Sequence, residues 1–172
     1  MPVHVLLLHV GDERYALPSA SVVEVVPSVP LRAVPRVHDG IAGLLAYRGH
    51  VVPVVDLCRL FGRGPCPQRL SSRIAVCDRG GALRPIGESV ANDRGQARRL
   101  LGVLAERVTH VGVLDPDAPG SHAGPAVPSL PALGRVTRDA QGLVQLVRLE
   151  DLVPADVLAL LEREAEPAGG AS

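Results

Sequence analysis

The sequence predicts a mainly β protein of two related five-stranded barrels packed together, with short helices and one helix near the C-terminal end. Three observations carry that expectation. Short Val- and Leu-rich runs recur along the chain, punctuated by Pro, Gly and Asp. Two of these runs, Ile41–Tyr47 and His50–Val55, are separated only by Arg48-Gly49, a hairpin corner at which Gly49 takes a positive φ cheaply. A weak internal echo is also present. Val22-Val23-Glu24-Val25, a Pro-rich linker and a strand pair ending in Asp56-Leu57 are followed later by Val108-Thr109-His110-Val111, a second Pro-rich linker and a strand pair ending in Glu150-Asp151-Leu152.

The elements follow in order. Val3–Val10 and Arg14–Leu17 read as strands around Gly11-Asp12, and Pro18 stops the second. Val22–Val26 is a third strand, and Leu31–Val34 a fourth, closed by Pro35. In Val22–Val26, alternation puts Glu24 on one face with Val22 and Val26, and Val23 with Val25 on the other. After the Arg48-Gly49 hairpin, Pro53 lacks an N–H, which predicts an edge strand or a bulge there. Asp56 reads as the N-cap of a short helix through Phe61, with Gly62 beyond its end. Strands are expected at Arg73–Cys77, Leu100–Leu104 and Arg107–Leu114, with a polar loop between Asp78 and Arg99. Leu133–Thr137 and Leu143–Val147 form a last hairpin around Asp139-Ala140-Gln141-Gly142. Glu150–Leu161 is apolar at helical spacing, with Pro154 an interruption near its start, and residues 165–172 are a flexible tail.

Composition narrows the function classes. Hydrophobic content is 47% over 172 residues, enough to bury a core and too high for a disordered chain. Net charge is zero, and every basic residue is Arg, so Schiff-base lysine and P-loop lysine chemistry are excluded within this chain. With neutral balance and 2% aromatics, the chain lacks the basic, aromatic surface of a nucleic-acid binder. Three irregularly spaced cysteines do not make a disulfide scaffold. No signal leader and no run of membrane-spanning length is legible, which predicts a cytoplasmic, reduced protein without direct membrane insertion.

No chemical constellation stands out. The six histidines form no metal-binding spacing, and there is no Cys-x-x-Cys, so no metal or cofactor is expected. Ser121-His122 lacks the context of a nucleophile elbow, and Cys58 falls inside the short predicted helix as a small buried hydrophobe. No pair of carboxylates is placed for acid–base work, so no catalytic residue is assigned. Two charges differ from the rest: Glu24 inside an apolar strand, and Arg48 at the hairpin corner. Each also has an ordinary reading as a single exposed charge.

These residues carry a resemblance. Tyr15-Ala16-Leu17-Pro18, Val23-Glu24-Val25-Val26, Val34-Pro35, the string from Gly43 through Arg48-Gly49, Val51, Pro53-Val54 and Asp56-Leu57 to Phe61-Gly62, and Gly102-Val103-Leu104-Ala105-Glu106-Arg107-Val108 resemble the CheW-like domain. The resemblance runs from Val5 to Leu161 and implies one domain over residues 1–164, with two interleaved SH3-like five-stranded barrel lobes around a shared hydrophobic core. It implies a non-catalytic adaptor that couples chemoreceptors to a CheA-type histidine kinase in a bacterial chemosensory array. The partners it implies are the cytoplasmic hairpin tip of a chemoreceptor and the regulatory domain of the kinase. The tip would lie in an apolar groove between the lobes, as a helix in a groove. Glu24, Arg48, Gly49, Val22, Val25 and Leu31 would meet the receptor, the valines and Leu31 as a groove floor. Glu106, Arg107 and His110 would face the kinase.

The chain departs from the family pattern at Ala46-Tyr47, where Asn-Leu is usual, at His38, where Pro is common, and in the second lobe at Glu106, His110 and Arg148. The Tyr47-Arg48-Gly49 corner, the Asp56-Leu57-Cys58 turn and the Asp139–Gly142 hairpin are most similar to couplers of Wsp-type pathways, which sense surfaces and drive cyclic-di-GMP synthesis. Two other readings remain open: a hydrolase using Ser121 or Cys66, and a small-molecule-binding regulatory domain of a chemosensory system with the 78–99 loop as its lid.

Overall fold

The computed structural model describes residues 1–35, 38–79, 100–124 and 131–165. Ten strands run β1 (Val3–Val10), β2 (Glu13–Pro18), β3 (Val22–Pro27), β4 (Ile41–Tyr47), β5 (His50–Asp56), β6 (Arg73–Asp78), β7 (Leu100–Ala105), β8 (Arg107–Leu114), β9 (Leu133–Asp139) and β10 (Gly142–Val147). Helix α1 (Leu57–Leu60) follows β5, and α2 (Ala155–Ala165) closes the described chain. The protein is mainly β, as the sequence predicts.

The strands form two five-stranded sheets, ordered β3-β6-β7-β5-β4 and β8-β1-β2-β10-β9. The middle of the chain makes the first, here the central lobe. Both ends together make the second, the terminal lobe. The two sheets repeat one plan. In each, the sequence of pairings is antiparallel, antiparallel, parallel, antiparallel. Strand β8 occupies the place of β3, β9 that of β4, and β10 that of β5. These are the segments whose residues echo one another.

Sequence pattern explains which strands lie inside. β1 is a nearly unbroken apolar run and is covered on both faces. Leu6, Leu8 and Val10 enter a large core shared with β4–β7, α1 and α2, while Val5 and Leu7 join Ala16, Leu114 and Val144 in a smaller one. β7 is buried throughout and is the middle strand of its sheet. β3 instead alternates half-buried and exposed residues and lies at an edge.

Three local expectations are corrected. Leu31–Val34 is not a strand: Arg32 alone bridges to Leu44, with reciprocal backbone hydrogen bonds of 2.9 and 2.8 Å, because prolines on both sides cannot extend a ladder. Pro53 lies neither at an edge nor at a bulge, since β5 runs between β7 and β4. It sits opposite Leu44, whose backbone groups serve Arg32, and the β7 ladder starts only at Val54, so no sheet bond is lost to the missing N–H. The C-terminal helix does not begin at Glu150. A 3-10 turn spans Leu149–Asp151, and α2 starts at Ala155, just after Pro154. The loop assigned to 78–99 and the tail lie, apart from residues 78, 79 and 165, outside the described residues.

Candidate functional site

The two charged residues singled out above meet. Glu24 lies on β3 and Arg48 at the β4–β5 corner, and β3 and β4 are the opposite edges of the central sheet. The sheet therefore curls until its edges face one another. Glu24 Oε2 accepts from the Tyr47 hydroxyl at 2.5 Å and forms an ion pair with Arg48 Nη2 at 2.9 Å. The Arg48 guanidinium stands 5.4 Å from the centroid of the Tyr47 ring, within cation–π range.

Backbone and solvation set this geometry. Arg48 has φ +46° and Gly49 φ +79°, the two positive values that a two-residue type I′ corner requires. Among the described residues Arg48 is the only non-glycine in that region. Asn or Gly would occupy it with less strain, so the side chain is retained there against a backbone cost of about 1 kcal/mol. Tyr47 is buried, and burial, with the Glu24 contact, pushes its phenol up to about 12. It is a hydrogen-bond donor at any physiological pH. Arg48 remains more than half exposed and Glu24 about one-third exposed.

The proposed groove floor does not form one surface. Val22 and Leu31 pack against the shared core, whereas Val25, with Val23, faces outward on the other side of β3. Gly49 stands clear of other atoms at the corner. A cleft of about 310 Å³ does open between the lobes, lined by His38 and Leu60 from one side and Ala132, Leu152 and Val153 from the other, but neither Glu24 nor Arg48 lines it.

The second set of residues divides. Glu106 Oε2 accepts from the Gly11 backbone N–H at 2.9 Å and so ties the β1–β2 turn to the start of β8. Arg107 and His110 are exposed, and Arg107 Nη2 lies 3.4 Å from His9 Nδ1. Burial, then the neighbouring Arg107, Arg14 and His110, holds the His9 imidazole below its ordinary value.

Sequence reasoning missed a third cluster. Asp56, Cys58 and Cys66 are buried, with their ligand-capable atoms within 4.8 Å of one another. Asp56 Oδ1 caps α1 by accepting from Cys58 N at 2.9 Å and Arg59 N at 3.2 Å, and Oδ2 accepts from Cys66 N at 2.8 Å. The carboxylate is thus committed to the backbone. Burial pushes both thiols up, well up for Cys66, and the Asp56 charge adds to this. A nucleophile needs the opposite, a stabilised thiolate. The cluster is a structural fastening, and the N-cap signal at Asp56 was its one legible part. Ser121 is similarly occupied, with its Oγ 2.9 Å from Thr137 Oγ1 and 3.5 Å from the Asp115 carbonyl. The neighbouring His122 ring contacts the Gly120 carbonyl instead, so no base activates Ser121 among the described residues.

Comparison with known proteins agrees with this architecture. The chain is 42% identical over 55 residues to Protein FrzA of Myxococcus xanthus, covering 32% of this chain and 34% of FrzA. It is 31% identical over 67 residues to the chemotaxis protein CheW of Helicobacter pylori, covering 39% of this chain and 41% of that protein. The matched stretches thus span well under half of these curated relatives. The fold is similar to the crystal structure of the scaffolding protein TtCheW from Thermoanaerobacter tengcongensis, with a TM-score of 0.69, 22% identity and 91% of each chain covered. The CheW-like domain profile matches residues 4–157, and the chain belongs to the CheW-like domain family.

Proposed function

We propose that this chain is a non-catalytic coupling protein of a bacterial chemosensory array, joining the cytoplasmic hairpin tip of a chemoreceptor to the regulatory domain of a CheA-type histidine kinase. Family membership and the likeness to chemotaxis and scaffolding proteins support the role. The observation that carries the receptor site is the Glu24–Arg48 pair, held at an exposed corner at the expense of backbone strain. Arg48 keeps further N–H donors for a partner, and its planar fork is one that Lys does not reproduce. The kinase would meet the exposed Arg107 and His110, while Glu106 braces the turn behind them. No helix among the described residues is long and apolar enough to cross a membrane, and in this reading the protein is cytoplasmic and reaches the membrane through receptor arrays.

The experiment is gel filtration of the chain with a chemoreceptor hairpin-tip fragment and the kinase regulatory domain from the same organism. Wild type should co-elute with both. Arg48→Glu should lose the receptor and keep the kinase. A folded wild-type protein that binds neither would remove the coupling role. Within that role, the finer reading is a Wsp-type pathway, supported by the Tyr47-Arg48-Gly49 corner. Deleting the gene should then lower cyclic-di-GMP on surfaces, and an unchanged level with lost chemotaxis would assign it to motility instead.

A further inference from the structure

Tyr47 directly precedes Arg48 at the β4–β5 corner, and its hydroxyl reaches the carboxylate proposed to meet the receptor. The ring is buried, packed as part of the shared core, and only its hydroxyl end touches Glu24. Glu24 Oε2 is thereby shared between Tyr47 and Arg48, while Oε1 has no hydrogen-bond partner among the described residues. A glutamate on a strand edge otherwise samples several rotamers, and fixing one costs side-chain entropy at the moment of binding. A core-anchored donor that already holds the carboxylate removes that cost in advance. The same ring faces the guanidinium of Arg48, so one side chain orients both charges.

We propose that Tyr47 is a positioning residue of the receptor site: its hydroxyl anchors Glu24 so that Glu24 and Arg48 meet the receptor as one fixed pair. The inference rests on the proposed receptor role of that pair.

The test measures affinity for the receptor hairpin-tip fragment and, separately, for the kinase regulatory domain. Tyr47→Phe removes only the hydroxyl and should weaken receptor binding about tenfold, within what a hydrogen bond to a charged group contributes. Kinase binding should be unchanged. In a Glu24→Ala background, which removes the acceptor, the same Tyr47→Phe change should have no further effect, a non-additivity that a general loss of packing would not produce. Tyr47→Leu should behave as Tyr47→Phe does if it folds. Should Tyr47→Phe bind receptor as wild type does while Arg48→Glu does not, Tyr47 has no positioning role and the receptor site stands. Additive effects of Tyr47→Phe and Glu24→Ala would overturn the proposal in the same way. If wild type binds no receptor fragment, the site assignment falls and this proposal with it.

Discussion

The central and terminal lobes repeat one strand order and one pattern of pairings, yet they are fastened differently. After β5, the chain turns into α1 under a buried aspartate, Asp56, that accepts three backbone N–H groups. At the matching place after β10 stands Arg148, whose side chain makes no cap. It pairs with the Asp151 carboxylate and donates to the Pro131 carbonyl, each at 2.7 Å, from a position more than half exposed. The β4–β5 corner is Arg48-Gly49 and carries the candidate site. The β9–β10 corner is Ala140-Gln141, and its flanking Asp139 forms a forked pair with Arg14 on β2 at 2.8 and 2.6 Å. Strand order leaves the joining of these corners to the rest of the sheet to side chains. One lobe places its corner charges in an exposed ion pair, the other in a mostly buried internal tie.

Substitutions can break or sharpen that contrast. Asp56→Ala should have the largest effect, about 3 kcal/mol of stability, since it strips a cap and orphans buried N–H groups. Its counterpart Arg148→Ala should cost under about 1 kcal/mol. Urea unfolding of both would test the asymmetry, and equal losses would refute it. Arg14→Ala should cost about 2 kcal/mol, by leaving Asp139 without its partner in a largely desolvated site. The pH dependence follows in sign. Arg14, foremost, holds the Asp139 carboxyl below its ordinary 3.8, so the pair's stabilisation is full above that value and is lost as pH falls below it through the lower folded-state pKa. The acid limb of a melting-temperature profile should flatten in Arg14→Ala, and an unaltered limb would show that the pair is not linked to folding.

Gly102→Ala should cost roughly 1–2 kcal/mol through overpacking. A Cβ there would stand 2.8 Å from Val54 Cγ2 and 3.0 Å from Ile74 Cγ2, in the centre of the central sheet. A neutral result would mean that this layer gives way. The smallest effect is a gain. Arg48→Asn relieves strain at the corner and should raise stability by about 0.5 kcal/mol while abolishing receptor binding. A variant that is both more stable and still bound to receptor would deprive Arg48 of its assigned role.

Much of this architecture was legible in the residues. Nine of the ten strands are carried by apolar runs with their punctuation, and β9 by its place in a hairpin; the Asp56 cap reads directly because an acceptor side chain before a short apolar helix has one local use. The errors share one cause. Leu31–Val34, Pro53 and the start of α2 each depend on what lies beside the segment rather than within it. The site was legible in part. Glu24 and Arg48 were marked because charge is rare in apolar strands and at tight corners. Tyr47 was visible only as a departure from a pattern, and Cys66 beside Asp56 gave no signal.

By itself, then, the sequence determined strand positions, hairpin corners, the helix cap and the duplicated order, since these follow from local propensity and short-range periodicity. Only the tertiary structure decided that the chain ends pair with each other around the middle, that β1 is buried on both faces, and that two sheet edges curl to bring Glu24 to Tyr47 and Arg48. Those outcomes depend on contacts between residues far apart in the chain, and their free energy appears only when apolar faces find one another and bury a common core.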